Sequence, residues 1–461
     1  MSNNTSFSKQ PQLSYLLNFI MKFLSILALV AVAKACLLPE ERDGGHLVKR
    51  KSYWRRQSNG APIGTGDRFS GGTIVPQGLG TQTTSFSTIL SVAEVSSGFE
   101  ALASSYDFPT FTAPYTTFEG RTIYGGTVGG SAGTCVNAYR AYFNANIHAR
   151  ERGSADGLLY FISDLLYANK NGVGIRYGSK SYTNAQVKTA LTVGIVFVPM
   201  SNPDGTNYDQ TSNSCWRKNR NTKSGSSGAS VGVDLNRNFD FVWDFTTKFA
   251  SSVASSVAST NPSSETYHGT AVFSEPETKA IKWVLDTYPM IRYFIDLHSY
   301  TGDVLYSWGS DENQSKYAYM NFLNSTYNSV RGILSDTPGS GSGYGEYSPT
   351  QELADNKAVG VRIGAAMSAA AGRTYTVTPA ANLYPTSGAS DDYSYSRHFA
   401  NTALNLVHSY TIEFGFGNSA SSCPFYPTVA QYNTNLQEIG AAYMETLLAA
   451  VDTGLGDAVT C

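Results

Sequence analysis

The sequence predicts an α/β fold: a single large domain with a central mixed, mostly parallel β-sheet covered by helices on both faces. Three observations carry this. Val193–Val198, Tyr293–Leu297 and His408–Phe414 are short, nearly continuous runs of β-branched, aromatic and aliphatic residues, the pattern of strands covered on both faces. Segments with helical apolar spacing alternate with them. The 461 residues suffice for one substantial core. In order, Ser91–Ala103 reads as an amphipathic helix, and Gly157–Ala168 carries Leu158, Leu159, Phe161, Ile162, Leu165 and Leu166 at helical spacing. Pro276–Asp286 reads as a helix with proline in its first turn, and Val429–Val451 as a helix with an apolar stripe. Ser251–Ser264 is rich in Ser and Ala and Pro338–Gly345 in Gly and Ser; both read as surface loops. There are no internal repeats.

The ends divide the chain further. Residues 1–35 read as an N-terminal extension and secretory signal: Lys22 precedes an apolar run, Phe23–Val32, and Ala33-Lys34-Ala35 supplies small residues for cleavage. The apolar run is too short for a stable membrane anchor. Met21 is an alternative start. Residues 36–80 form a short, polar, poorly ordered pro-segment with a dibasic run at Lys49-Arg50-Lys51, residues 81–455 the main domain, and 456–461 a tail. The reading is of a secreted, extracellular monomer. Secretion makes disulfides among the five cysteines plausible, with a pairing that spacing does not reveal, and Asn313 and Asn324 begin glycosylation sequons. A net charge of -2 and 15% charged residues give no sign of a nucleic-acid-binding surface, and none is expected.

The chemistry-bearing residues begin with His148 and Glu151, three apart, a spacing that aims both side chains at one point. Imidazole and carboxylate are both good zinc donors, and a catalytic zinc site uses three protein ligands. His298, at the end of the Tyr293–Leu297 run, is the third candidate; open α/β sheets place their sites at strand ends. The chain has six histidines; His46, in the pro-segment, and His268, His398 and His408 read as surface or core residues. No HExxH occurs, which excludes the zincin arrangement.

Further motifs follow in a fixed order: HARE at 148–151, NPDG at 202–205, CWRKNR at 215–220, GVDLNRNFD at 232–240, YHGTAVFSEPET at 267–278, DLHSY at 296–300, LYPTSGASDDY at 383–393 and TIEFG at 411–415. Over residues 80–453 the chain resembles the zinc metallocarboxypeptidases of the pancreatic carboxypeptidase A/B type. The resemblance implies a secreted exopeptidase acting on peptide and protein C-termini. It implies one Zn²⁺ per chain on His148, Glu151 and His298, with Glu413 as general base and Arg217 as oxyanion clamp. Asp234 resembles the residue that fixes the tautomer of the first zinc histidine. Asn236, Arg237 and Tyr384 match the grip on the substrate's terminal carboxylate, and Arg150 a contact further out.

Counting from Tyr384 without a gap, the residue at the floor of the specificity pocket falls on Asp391, which implies a preference for C-terminal Lys or Arg. The alternatives are an A-like or broad-specificity carboxypeptidase and a non-catalytic binding protein on the same scaffold. The chain departs from the family pattern at Ala389, where glycine is common, and in longer segments on either side of Tyr384. The family's disulfide positions are not evidently kept. The region before residue 80 is too short and polar for a folded inhibitory prodomain.

Overall fold

The computed structural model describes Leu37, Glu41 and residues 60–130 and 135–456. The expected signal segment, the dibasic run and most of the tail lie outside the described residues. Eight strands form the main sheet: β1 (Thr110–Thr116), β2 (Thr122–Val128), β3 (Ala141–Ala145), β4 (Ile195–Val198), β5 (Tyr293–His298), β6 (Asp303–Tyr306), β7 (Thr376–Pro379) and β8 (His408–Glu413). Their spatial order is β1-β2-β4-β3-β5-β8-β6-β7. The β4-β3, β3-β5, β5-β8 and β6-β7 pairs are parallel, and the other three antiparallel. The mixed, mostly parallel sheet expected from the sequence is therefore present.

The central strands are buried at every position, as their apolar runs require. One face of the sheet packs on α1 (Val92–Tyr106), α2 (Ser154–Asn171), α3 (Asn184–Leu191), α6 (Thr350–Ala371) and α8 (Val429–Ala450). Tyr293, Ile295 and Leu297 of β5 point into this core. The other face receives Phe294, together with Ile281, Val284 and Leu285 of α5 (Pro276–Thr287) and Tyr393 and Tyr395 of α7 (Ser390–Ala400). A further helix, α4 (Pro203–Ser212), follows β4, with proline in its first turn and Asn202 capping it through a bond from the Gly205 N–H. Among the described residues no helix is long and apolar enough to cross a membrane.

The expected boundary at residue 81 is corrected. Residues 60–80 are part of the packed domain: Ala61, Phe69 and Leu79 are buried in the main core. Arg68 pairs with Glu94 at 2.8 Å, and Asp164 accepts from the Gly80 N–H at 2.9 Å. Three widely spaced apolar anchors suffice to hold a Gly- and Thr-rich stretch that composition alone marks as loose. Cys215 and Cys423 form a disulfide across 208 residues of sequence. Asn313 is half-buried, its amide donating to the Ser307 carbonyl and accepting from the Trp308 N–H, so this sequon's side chain is engaged in the fold.

A buried carboxyl pair tests the folded state. Glu277 is pushed up to about 8, first by burial and then by Glu275. Its folded value lies above the unfolded one, so the stability it contributes is complete below about 4.5 and is lost as pH rises through about 8. Thermal melts from about pH 5 to about pH 9 are expected to show a fall in Tm that is several degrees smaller in Glu277→Gln than in the parent. Equal pH slopes in the two proteins would count against this assignment.

Candidate metal centre and substrate cleft

The carboxyl ends of the parallel strands β3, β5 and β8 converge, and register fixes what meets there. Ala145 pairs with Leu297, and His298 with Glu413, so His298 and Glu413 stand side by side on neighbouring strands. The chain leaves β3 through Asn146 and Ile147 into the turn that carries His148 and Glu151. Ser154 pins this turn, accepting from the Asn146 N–H at 2.9 Å and donating to the Leu297 carbonyl at 2.9 Å. Gly153, at φ 97°, makes the left-handed step from the turn into α2. Asn202 and Arg217 hold the turn from outside, with the Asn202 amide donating to the Ile147 carbonyl and the Ala149 N–H to the Arg217 carbonyl.

His148 Nδ1 lies 2.8 Å from Glu151 Oε1, His298 Nδ1 lies 3.2 Å from Glu151 Oε2, and the two Nδ1 atoms are 3.0 Å apart. All three residues are buried. Donors at bonding distance from one tetrahedral zinc stand about 3.3 Å apart. The observed spacings are close to that, and two imidazole nitrogens facing each other beside a carboxylate form a donor set suited to a divalent cation. The residues fit the ion that the motifs imply. Burial opposes ionisation of Glu151, but His148 and His298 hold its carboxyl well below the usual carboxylate range.

Each histidine has a carboxylate behind it. His148 Nε2 is 3.0 Å from Asp234 Oδ1, and His298 Nε2 is 3.4 Å from Asp296 Oδ2. Asp234 is shared: its Oδ2 accepts from Arg217 Nη2 at 2.9 Å and Nε at 3.1 Å, and its Oδ1 also accepts from the Asn236 N–H. Burial works against the charge on Asp234, and Arg217 and His148 together outweigh it, keeping the group ionised. Arg217 thus sits against the metal cluster through Asp234. Glu413 is fully buried beside His298.

A second group of residues surrounds the start of α7. Asn236 accepts from the Ser390 N–H at 2.8 Å. Arg237 is 1% exposed and donates to the Val257 and Asn236 carbonyls. Its Nη2 is buried without a hydrogen-bond partner among the described residues, an orphan donor that a bound anion would satisfy. The Tyr384 ring lies 5.7 Å from this guanidinium. A cavity of about 440 Å³ adjoins Tyr384, lined also by Leu383, Val253 and Leu334, and by Leu37 from the N-terminal segment. Asp391 is buried in the first turn of α7 and accepts from Thr411 Oγ1 at 3.0 Å and from the Asp392 N–H. Burial pushes its carboxyl up. Asp392 accepts from the Gly309 N–H with both oxygens. Arg150 stands apart from this cluster. It is clamped by both oxygens of Glu41 at 2.9 Å and lies over the Phe425 ring.

Two site residues escaped sequence reading. Asp296 lies two positions before His298 on one strand, so period-2 alternation places both on the same face; that signal was available. Glu41 had none, because nothing in a polar leader marks which acid meets Arg150. The other histidines among the described residues are engaged elsewhere: His268 stacks on Trp243 at 4.2 Å, His398 bonds the Leu404 carbonyl, and His408 bonds Asn356 at 2.6 Å; His46 lies outside the described residues.

A paired-histidine, carboxylate-backed metal centre at the carboxyl end of a mixed α/β sheet, with an acid beside it and an orphan guanidinium nearby, defines a class of metal-dependent hydrolase sites. The family model for zinc carboxypeptidase matches residues 99–439, and the chain belongs to that family. Carboxypeptidase B of Bos taurus is 29% identical over 300 residues, covering 65% of this chain and 56% of the relative. Carboxypeptidase A2 of Mus musculus is 34% identical over 169 residues, covering 36% of this chain and 35% of the relative. The matches thus span a little over half of one relative's length and about a third of the other's. The crystal structure of thrombin activatable fibrinolysis inhibitor has the same fold, with a TM-score of 0.57 at 21% identity over 79% of this chain and 75% of its own. Carboxypeptidase A from Helicoverpa armigera superposes equally well, at a TM-score of 0.57 and 21% identity over 80% of this chain and 75% of its own.

Gly388 joins the two groups of site residues. It sits at φ 66°, and a Cβ there would lie 2.5 Å from the Arg237 carbonyl oxygen. Gly388→Ala is expected to cost about 1–3 kcal/mol in denaturant melts. A stability equal to the parent's would show that the Tyr384–Asp391 loop does not need this close approach.

Proposed function

We infer that the protein is a secreted zinc metallocarboxypeptidase that removes C-terminal Lys or Arg from peptides. The observation that carries the hydrolase reading is the convergence of His148, Glu151 and His298 on one point beside Glu413. In this reading the three residues hold one Zn²⁺, which when bound supplies a Lewis acid for the scissile carbonyl and makes water more acidic. Glu413 takes a proton from the attacking water and returns it to the leaving amine as the C–N bond breaks. Arg217 offers its guanidinium to the oxygen that gains negative charge. Arg237 anchors the terminal carboxylate with its unpaired Nη2, and Asn236 and Tyr384 complete that grip.

The basic preference rests on Asp391. Its carboxylate is buried and has only neutral donors among its hydrogen bonds, Thr411 and the Asp392 N–H. A cationic side chain would pair with it, whereas an apolar one would leave it buried without a counter-charge. Relatives named carboxypeptidase A and carboxypeptidase B match at similar identity, so this preference stands on the pocket residue.

A peptide series ending in Arg, Lys, Phe, Leu or Glu tests the reading. Arg and Lys are expected to be released fastest, release is expected to stop with a chelator and return with Zn²⁺, and Asp391→Ala is expected to lose the basic preference. Glu413→Gln is expected to keep one zinc per chain and lose about 10²–10⁴-fold in kcat. A preference for Phe that survives in Asp391→Ala would end the basic-specificity proposal, and full activity in Glu413→Gln would end the mechanism.

The region before residue 60 is read as a pro-segment rather than a folded inhibitor. Glu41 occupies the Arg150 guanidinium, which in this reading contacts the substrate further from the scissile bond. Cleavage at the dibasic run is therefore expected to lower KM for substrates long enough to reach Arg150 and to leave short substrates unaffected. Identical KM values for the full-length and trimmed protein on long substrates would contradict this.

A further inference from the structure

We propose that Asp296 is the positioning residue for His298, fixing the second metal histidine in the tautomer that presents Nδ1 to the ion and tying it to the floor of the substrate pocket. The inference rests on the reading of His298 as a metal ligand and assigns a role to a residue outside the motif-derived set.

The geometry begins with register. On three neighbouring parallel strands, Asn144 of β3 pairs with Asp296 of β5, and Asp296 pairs with Thr411 of β8. This cross-strand row lies one side-chain layer below the row that holds His298 and Glu413. Asp296 is fully buried. Its Oδ1 accepts from Asn144 Nδ2 at 2.8 Å, and its Oδ2 accepts from Ser390 Oγ at 2.5 Å. Those two bonds fix the carboxylate plane, and Oδ2 then lies 3.4 Å from His298 Nε2. His298 Nδ1 points the other way, toward Glu151 and His148.

A neutral imidazole has one proton and one lone pair. A carboxylate facing Nε2 favours the proton there, because the alternative sets a lone pair against a negative charge. Nδ1 is then left as the donor atom, on the side where the other two ligands wait. Asp234 stands in the same relation to His148, with its Oδ1 3.0 Å from Nε2. Each metal histidine thus has a carboxylate beside Nε2: for His148 it comes from a loop at hydrogen-bond distance, and for His298 from within the strand at the longer 3.4 Å, where Nε2 makes no hydrogen bond among the described residues. Carboxylate supports of this kind are typically worth about 10–100-fold in metal affinity.

A purely structural explanation, in which Asp296 only satisfies Asn144 and Ser390, predicts a different result. Both donors belong to neutral side chains that water or an amide oxygen serves equally well, so that explanation gives the 3.4 Å approach of Oδ2 to His298 Nε2 no part to play. Through Ser390, which precedes Asp391, the same carboxylate also joins the metal histidine to the first turn of α7.

The test is Asp296→Asn, an isosteric change that keeps a hydrogen-bonding oxygen and removes the charge. Zinc affinity is measured by competition with a chromophoric chelator, and the visible spectrum is recorded after Co²⁺ substitution, alongside melting of the metal-free protein. The expected result is a zinc affinity about 10–100-fold weaker, with an altered Co²⁺ spectrum and little change in the metal-free melt. Ser390→Ala, which removes one of the two bonds fixing the carboxylate, is expected to shift affinity in the same direction by less. Should Asp296→Asn fail to fold, Ser390→Ala decides alone. Parental zinc affinity and Co²⁺ spectrum in the folded variants, or a lowered metal-free melt with parental affinity, would overturn the proposal. Failure of the parent protein itself to take up zinc would instead sink the metallocarboxypeptidase reading.

Discussion

The constraint from which the site follows is the burial of four carboxyl groups around the carboxyl ends of three parallel strands. Glu151, Asp234, Asp296 and Glu413 are all fully buried, and Arg217 pairs with Asp234. Burial opposes the charge on Glu151 and on Asp234, and His148, His298 and Arg217 hold both groups ionised. Buried charge of that kind is tolerated only when it is paired or coordinates a metal. A divalent cation between His148, Glu151 and His298 would meet that requirement for Glu151, and the hydrogen bonds from Asn144, Asn236 and Ser390 serve Asp234 and Asp296.

Sheet register then determines which groups can meet. The parallel pairing of β5 with β3 and β8 stacks two functional rows: His298 beside Glu413 at the strand ends, and Asn144, Asp296 and Thr411 beneath them. In the proposed reading the upper row carries the metal and the proton transfer; the lower row faces the first turn of α7, where Ser390 and Asp391 receive it. A one-residue slip of β5 would reverse both rows and send His298 into the face packed on α2 and α8. The apolar residues Tyr293, Ile295 and Leu297, buried on that opposite face, therefore hold the catalytic register as much as they fill the core.

Much of this was legible in the sequence where chemistry and chain run together. HARE and DLHSY carry their ligands in short contiguous segments, and the buried strands announce themselves as apolar runs. Legibility failed where a contact joins distant segments through unremarkable residues. The pairing of Cys215 with Cys423 spans 208 residues and leaves no trace in spacing. The anchoring of residues 60–80 depends on Ala61, Phe69 and Leu79, too far apart to form a periodic pattern. Asp296 was hidden for another reason: within a run such as YFIDL an acid reads as an interruption of a buried strand, although its alternation with His298 marks it as part of the site.

The two histidine–carboxylate pairs also differ in what lies behind them. Asp234 is braced by Arg217, a cation whose own proposed task is to meet the reacting oxygen. Asp296 is braced by Ser390 and Asn144, neutral groups on α7 and β3. A displacement of the first pair is thus transmitted toward the oxyanion, and a displacement of the second toward the pocket that receives the terminal side chain. In the proposed reading, metal geometry, oxyanion binding and side-chain selection are linked through these two carboxylates, Asp234 by its bonds to His148 and Arg217 and Asp296 by its bond from Ser390 and its approach to His298 Nε2.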